Sequence, residues 1–336
     1  MATHETQSRM EPRRRRAERR RRPPLLVIVL AGLAAVTVAF LVARAIDEVS
    51  VDWLQSRADG GLEAPKYDAG FISLARKQDC RVFVTLTDYD ETSHQFDSAI
   101  SAAILANAKS RRRHATAVAV WCREHHVDGV DVDWEAVRAD QRGSFSKFVE
   151  DLAKALHRDG RMIAVDVYPK TREPGGWDGP HAQDWKALGR VVDQFRVMTY
   201  NYSGSWSGPG SLSSPEWMDR ILDFAETQVA PRKIVMGVGF YGRDWRGSTT
   251  TDLVWADVER IRAADKPRET RGASAELNLT YRRDGARHAA FFPDATAIGA
   301  KLRMMLEQHP RIRGVYCWLM GQEDPRAWRV LHRRLH

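Results

Sequence analysis

Residues 125 to 137, HHVDGVDVDWEAV, gather four acidic side chains, Asp128, Asp131, Asp133 and Glu135, in a run that otherwise reads as a buried strand. Side chains alternate between the faces of a strand, so Asp131, Asp133 and Glu135 share one face while Val130, Val132 and Trp134 share the other. Carboxyls about 6 to 7 Å apart on a sheltered face are costly to ionise together, because burial and like charge both raise their pKa. At least one then keeps its proton near neutral pH, the state a general acid needs. Two other readings compete. A solvated acidic loop accounts for the charge but not for the regular Val-x-Val-x-Trp interleaving. A metal site could recruit His125 or His126, but these suit the end of the preceding helix, where an imidazolium complements the dipole, and adjacent residues point apart. Asp128, on the other face from the three acids, reads as structural.

The elements that must position these acids are legible around them. Runs with strand character lie at 47 to 54, 80 to 89, 127 to 135, 161 to 169, 194 to 202, 233 to 242 and 313 to 321. Helical patterns separate them, among them Ile100 to His126 and Phe145 to His157, where Phe148, Leu152 and Leu156 recur at helical spacing. Strands and helices in this rhythm imply βαβ units and a parallel sheet. Near-continuous apolar strands over residues 46 to 336 suit an α/β fold of the TIM type, a (β/α)8 barrel, better than an open doubly wound sheet. No glycine-rich phosphate loop follows the first strand, which argues against nucleotide binding. Residues 243 to 312 exceed what one crossover needs, and ELNLTYRRDGARHAAFF around Asp284-Gly285 predicts a small β-hairpin insertion before the last strand.

Charge and composition bound the partners. The chain has 336 residues, is 43% hydrophobic and carries a formal charge of +8. Residues 1 to 22 hold nine arginines against Glu5, Glu11 and Glu18, so only about +2 belongs to the rest. The basic excess is a property of the tail, which argues against a nucleic-acid partner for the folded part. Cys80, Cys122 and Cys317 are too few and too scattered for a disulfide framework or a zinc site. Residues 25 to 42, LLVIVLAGLAAVTVAFLV, have the length of a transmembrane helix, about 27 Å. With arginines before it, the run predicts a cytoplasmic tail at 1 to 22, an anchor at 23 to 45 and an exported domain at 46 to 336. A cleaved signal ending near Ala43-Arg44-Ala45 is the alternative.

DGVDVDWE resembles the D-G-x-D-x-D-x-E signature of glycoside hydrolase family 18, the chitinases and related N-acetylglucosaminidases. The resemblance covers residues 46 to 336. VMTYNYS is similar to the family's sixth-strand segment, GVGFYGRDW to its seventh and GVYCWLMGQEDPRAW to its eighth, and the overall pattern is most similar to a bacterial branch with spore-cortex-lytic and polysaccharide-processing members. The resemblance implies a retaining, substrate-assisted reaction without a cofactor on an N-acetylglucosamine-containing polysaccharide, chitin-type or peptidoglycan. It implies Glu135 as the acid, Asp133 orienting the substrate's acetamido group, Asp131 beneath it sharing a proton, and Tyr200 on the acetamido oxygen. Trp318 would stack under the sugar, with Met198, Asn201, Tyr241 and Arg243 lining the site. Trp206 and Trp217, in the loop after the sixth strand, serve either as stacking platforms or as loop packing. Asn201 stands where many relatives have Asp, which removes a charge that tunes the neighbouring carboxyls.

Only seven strands are counted, and the stretch from 45 to 62 resembles the family's second strand. The first would have to come from the apolar run, so the reading is a barrel lacking its first strand. Alongside a hydrolase, the residues allow a non-catalytic carbohydrate-binding protein and a metal-dependent hydrolase.

Overall fold

The computed structural model describes residues 25–29 and 46–335. Eight parallel strands carry the fold: β1 (Leu25–Val29), β2 (Glu48–Ser56), β3 (Arg81–Thr87), β4 (Gly129–Asp133), β5 (Met162–Val167), β6 (Gln194–Val197), β7 (Ile234–Gly239) and β8 (Gly314–Trp318). Each pairs with the next, and β1 pairs with both β8 and β2, which closes the sheet into a ring. The helices are α1 (Ala69–Lys77), α2 (Ser98–Leu105), α3 (Ala108–Glu124), α4 (Arg142–Arg158), α5 (Asp178–Ala182), α6 (Trp185–Val191), α7 (Pro215–Gln228), α8 (Trp255–Asp265), α9 (Ala295–Gln308) and α10 (Arg326–Leu335).

The expectation of a missing first strand is overturned, since Leu25–Val29 fills the seam in register with Val315 to Cys317 on one side and Glu48 to Val51 on the other. These five residues belong to the run expected to cross a membrane as a helix, and a strand paired on both edges cannot be part of one. The two were confused because Leu-Leu-Val-Ile-Val suits a fully buried parallel strand as well as a lipid-facing helix. No helix among the described residues is long and apolar enough to cross a membrane. The remainder of the expected anchor or signal, residues 30 to 45, and the basic tail lie outside the described residues.

The other seven strands appear where the pattern placed them. The segment from Ile100 to His126 is two helices rather than one, because Asn107 caps α3: its side chain accepts the N–H groups of Lys109 and Ser110, and Ser110 Oγ accepts the Asn107 N–H. Apolar faces of the helices bury against the outside of the ring. On α4, Phe145, Phe148, Leu152 and Leu156 are fully buried, and Phe148 stacks on Trp134 with ring centroids 4.5 Å apart. Burying an aromatic of that size contributes about 1.5 to 3 kcal/mol.

The insertion after β7 is larger than a hairpin. Gly242–Arg246, Thr249–Leu253, Arg268–Arg271, Leu277–Arg283 and Ala286–Phe292 form a five-stranded sheet, antiparallel throughout, with α8 between its second and third strands. Leu253, Val258, Ile261, Leu277, Leu279 and Phe292 give it a small core of its own. The predicted hairpin is its centre, turning at Asp284 and Gly285, both with positive φ.

The inside of the ring is polar at its lower end. Glu48 on β2 is fully buried and meets Arg81, Arg313 and the Gln194 amide, while the buried Arg196 on β6 donates to Ser50 Oγ at 2.6 Å. A charged layer beneath the strand ends sets the electrostatic environment of the residues above it.

Candidate active site

The three acids of β4 rise toward the carboxyl ends of the strands, as alternation predicts, and Val130, Val132 and Trp134 are buried among the surrounding helices. Asp131 lies deepest, with no exposure, in an ion pair with Arg196. The resemblance implies a proton shared between Asp131 and Asp133; Asp166 on β5 also stands against Asp131, close enough for those two carboxyls to share one. Two carboxyls can bond each other only if one holds a proton. Each also keeps one oxygen, Oδ1, without an N–H or hydroxyl donor. Burial and the neighbouring Asp131 charge push Asp166 well above the usual carboxylate range. Asp131 is raised by burial too, with the Arg196 guanidinium working against the rise.

Asp133, one pleat above, is 8% exposed. Burial first, then the charges of Glu135, Asp166, Asp131 and Asp88, push it well above the ordinary range. Glu135 stands just past the strand end at the mouth, partly exposed. Its Oε2 accepts the Tyr168 hydroxyl at 2.6 Å, and burial raises its pKa while that hydrogen bond opposes the rise. Asp88, at the end of β3, accepts the N–H groups of Glu135 and Ala136 at 3.0 and 3.2 Å and so fixes the turn that carries Glu135. Its own carboxyl is pushed up to about 7, chiefly by burial.

Facing the acids, Tyr200 is buried and shares a hydrogen bond of 3.0 Å with the Tyr316 hydroxyl. Tyr316 reaches it because Gly237 has no side chain: a Cβ there would lie 2.8 Å from the Tyr316 ring and hydroxyl and 2.7 Å from the Val197 carbonyl. Met198, Tyr200, Val235 and Tyr316 form a small cluster on which Trp318 and Tyr168 pack. Asn201 has a φ of 66°, a left-handed value that Asn tolerates, and its Oδ1 accepts both the Tyr241 hydroxyl and Arg243 Nη2. Arg243 also donates to the Ser203 carbonyl and pairs with Asp252. Its guanidinium lies 5.4 Å from the Trp206 ring, which is 65% exposed. Trp217 lies on α7 rather than in the loop, half-buried against the barrel's helical layer with its ring 5.2 Å from that of Tyr202.

The remaining sequence candidates lie elsewhere. Asp128 accepts the Val82 N–H at 2.8 Å and holds β3 to the start of β4. His125 caps α3, stacked on Trp121, and the His126 carbonyl accepts Arg76, so both histidines stand at the opposite end of β4 from Glu135. Among the described residues, the histidine and carboxylates whose ligand atoms cluster as a metal would need are Asp219, Asp223 and His309. They lie on and beside helices α7 and α9, apart from the acids of β4.

Asp88, Asp166, Tyr168, Arg196 and Tyr316 were not singled out from the sequence. A signal existed for three of them: Asp166 and Arg196 are lone charges inside apolar strands, and Tyr168 lies two residues past Asp166, where alternation returns it to the same face.

The family model for glycosyl hydrolases family 18 matches residues 14–323. Uncharacterized glycosylase YvbX of Bacillus subtilis is 23% identical over 267 residues, covering 78% of this chain and 77% of that protein. Cortical fragment-lytic enzyme of the same organism is 25% identical over 287 residues, 82% of this chain, and the chain spans 65% of its length. Among solved structures, the Bacillus cereus spore cortex-lytic enzyme SleL superposes with a TM-score of 0.85 at 21% identity, over 94% of this chain and 74% of that one. A class V chitinase from Pseudomonas fluorescens Pf-5 superposes with a TM-score of 0.84 at 25% identity, over 94% of this chain and all of that one.

Proposed function

Because the chain belongs to the glycosyl hydrolases of family 18, and is a glycoside hydrolase, we propose that it cleaves the β-1,4 bond next to N-acetylglucosamine with the substrate's own acetamido group as nucleophile. The observation that carries this reading is the Glu135 carboxyl, raised in pKa and aimed by Tyr168 and Asp88 above a column of buried acids.

Glu135 gives its proton to the glycosidic oxygen as the bond from that oxygen to the anomeric carbon breaks. The acetamido carbonyl oxygen bonds to the same carbon from the opposite face, forming a cyclic oxazolinium ion. Asp133 accepts the acetamido N–H and balances the developing positive charge, and Tyr200 donates to the acetamido oxygen. Water then opens the ring, Glu135 recovers a proton from it, and the product keeps the configuration of the substrate. Asp131, Asp166 and Arg196 beneath set how much negative charge Asp133 carries. Trp318 supplies the floor for the sugar, and Arg243, Asn201, Tyr241 and Trp206 one wall.

The glycan strand of peptidoglycan is the substrate we place ahead of chitin. The cortical fragment-lytic enzymes match 82% of this chain, whereas chitinase C of Streptomyces lividans matches 36%. A substrate of that kind lies outside the cytoplasm, and we place the working domain there; with β1 at Leu25–Val29, it keeps those residues. Digestion of purified peptidoglycan and of N-acetylglucosamine oligomers in parallel tests the reading. Release of fragments with N-acetylglucosamine at the reducing end from peptidoglycan is the expected result. Cleavage of the oligomers alone reverses the substrate order, and cleavage of neither refutes the function.

A further inference from the structure

Away from the acids, a second buried charge joins three parts of the molecule. Glu276 precedes the insertion strand Leu277–Arg283, and Lys301 lies on α9; both are fully buried, and Lys301 Nζ donates to Glu276 Oε1 at 2.8 Å. The same carboxylate accepts the N–H of Leu212 at 2.8 Å and of Ser213 at 3.1 Å. Residues 212 and 213 end the loop that follows β6, and the loop is tied at its base by the Tyr202 N–H on the Leu212 carbonyl.

A buried ion pair is weak evidence for stability, because apolar residues of similar volume often do as well. What apolar residues could not supply here is an acceptor for two buried backbone N–H groups. The loop so held carries Trp206 and the Ser203 carbonyl, and the insertion held at the same point carries Arg243, which bonds that carbonyl and faces the Trp206 ring. Gly204 shows how closely these parts fit: a Cβ there would come within 2.5 Å of the Trp206 ring and 2.7 Å of Arg243 Nη1.

We propose that Glu276, neutralised by Lys301, is a positioning residue for the outer wall of the cleft, fixing the loop of Trp206 against the insertion of Arg243. The inference rests on the glycan-hydrolase reading and adds a division of labour: bond cleavage at Glu135, and binding of sugars farther along the chain through a wall that Glu276 holds ready. Its effect is on the affinity for long glycans rather than on the chemical step.

Two double variants separate the roles without leaving a lone buried charge. Glu276→Gln with Lys301→Met keeps an acceptor oxygen for the loop; Glu276→Leu with Lys301→Met removes it. With a hexamer of N-acetylglucosamine, the second should raise KM roughly tenfold, an amount equal to the loss of one good contact, with kcat within about threefold. The first should restore KM toward the parent value, and a short aryl glycoside should show no difference. Glu276→Asp, which keeps a negative charge opposite Lys301 but draws the carboxyl back from Leu212 and Ser213, is the second variant should the apolar pair not fold; it should raise KM in the same direction. Unchanged KM in folded Glu276→Leu/Lys301→Met or in Glu276→Asp, or an equal loss on long and short substrates, overturns the proposal. Amide hydrogen exchange across residues 202–213 reads the loop without substrate, so failure of the hydrolase reading is distinguishable: faster exchange in Glu276→Asp supports the positioning role, and unchanged exchange removes it.

Discussion

Glu135 is held between opposing influences. Burial favours its protonated form, and the Tyr168 hydroxyl, donating to Oε2, favours the carboxylate. Both are needed, since the residue must give a proton and take one back within a turnover. Replacing Tyr168 by Phe removes the influence that lowers the pKa. Protonated Glu135 then persists to higher pH, and the alkaline limb of kcat/KM, which reports loss of that proton, moves upward; a limb that moves down or stays contradicts the assignment. The acids of β4 were legible from their spacing, because charge on alternate positions of an apolar strand is too costly to persist where no chemistry uses it. Their partners were not. Arg196 and Asp166 are single charges on other strands, and which strand lies beside which is a matter of ring order rather than local pattern. That Asp166 stands against Asp131 follows from the pairing of β4 with β5.

At the scale of elements, β3 and β4 are joined at both ends by carboxylates. Asp128 accepts the Val82 N–H at the bottom, and Asp88 accepts the Glu135 and Ala136 N–H groups at the top. Asp88 is pushed from 3.8 to about 7 in the fold. A group whose pKa rises on folding stabilises the fold fully below its unfolded value and loses that contribution as pH climbs through the folded value. Stability should therefore fall between about pH 4 and pH 7, by up to about 4 kcal/mol from this residue. Asp88→Asn should flatten that part of the stability curve, as measured by urea unfolding at several pH values. An unchanged slope would place the titration elsewhere. Strands with apolar runs were easy to find, whereas the insertion was under-read as a hairpin because Gly242–Arg246, Thr249–Leu253 and Arg268–Arg271 are short and largely polar. A polar pentapeptide becomes a strand only when a neighbour offers it a ladder.

The whole molecule depends on its seam. With β1 in place, every barrel strand has two neighbours; without it, β2 and β8 become open edges beside the layer of Glu48, Arg196 and Arg313. Open edges of this kind template aggregation. A chain beginning at residue 46 should lose cooperative thermal unfolding and aggregate, while one beginning at residue 23 keeps the ring; equal melting temperatures would contradict the closure. The sequence reading left the barrel without its first strand here, since hydropathy does not distinguish an apolar parallel strand from the start of a membrane helix.

The central claim is that Glu135 acts as the acid in a reaction whose nucleophile belongs to the substrate. Its most direct measurement follows the first product anomer by proton magnetic resonance during hydrolysis of N-acetylglucosamine oligomers by the parent protein and by Glu135→Gln. The account predicts β-anomer first from the parent, a rate lower by about 10² to 10⁴ in the variant, and no cleavage of oligomers stripped of their acetyl groups. An α-anomer formed first, or cleavage of the deacetylated chain at a comparable rate, would contradict it.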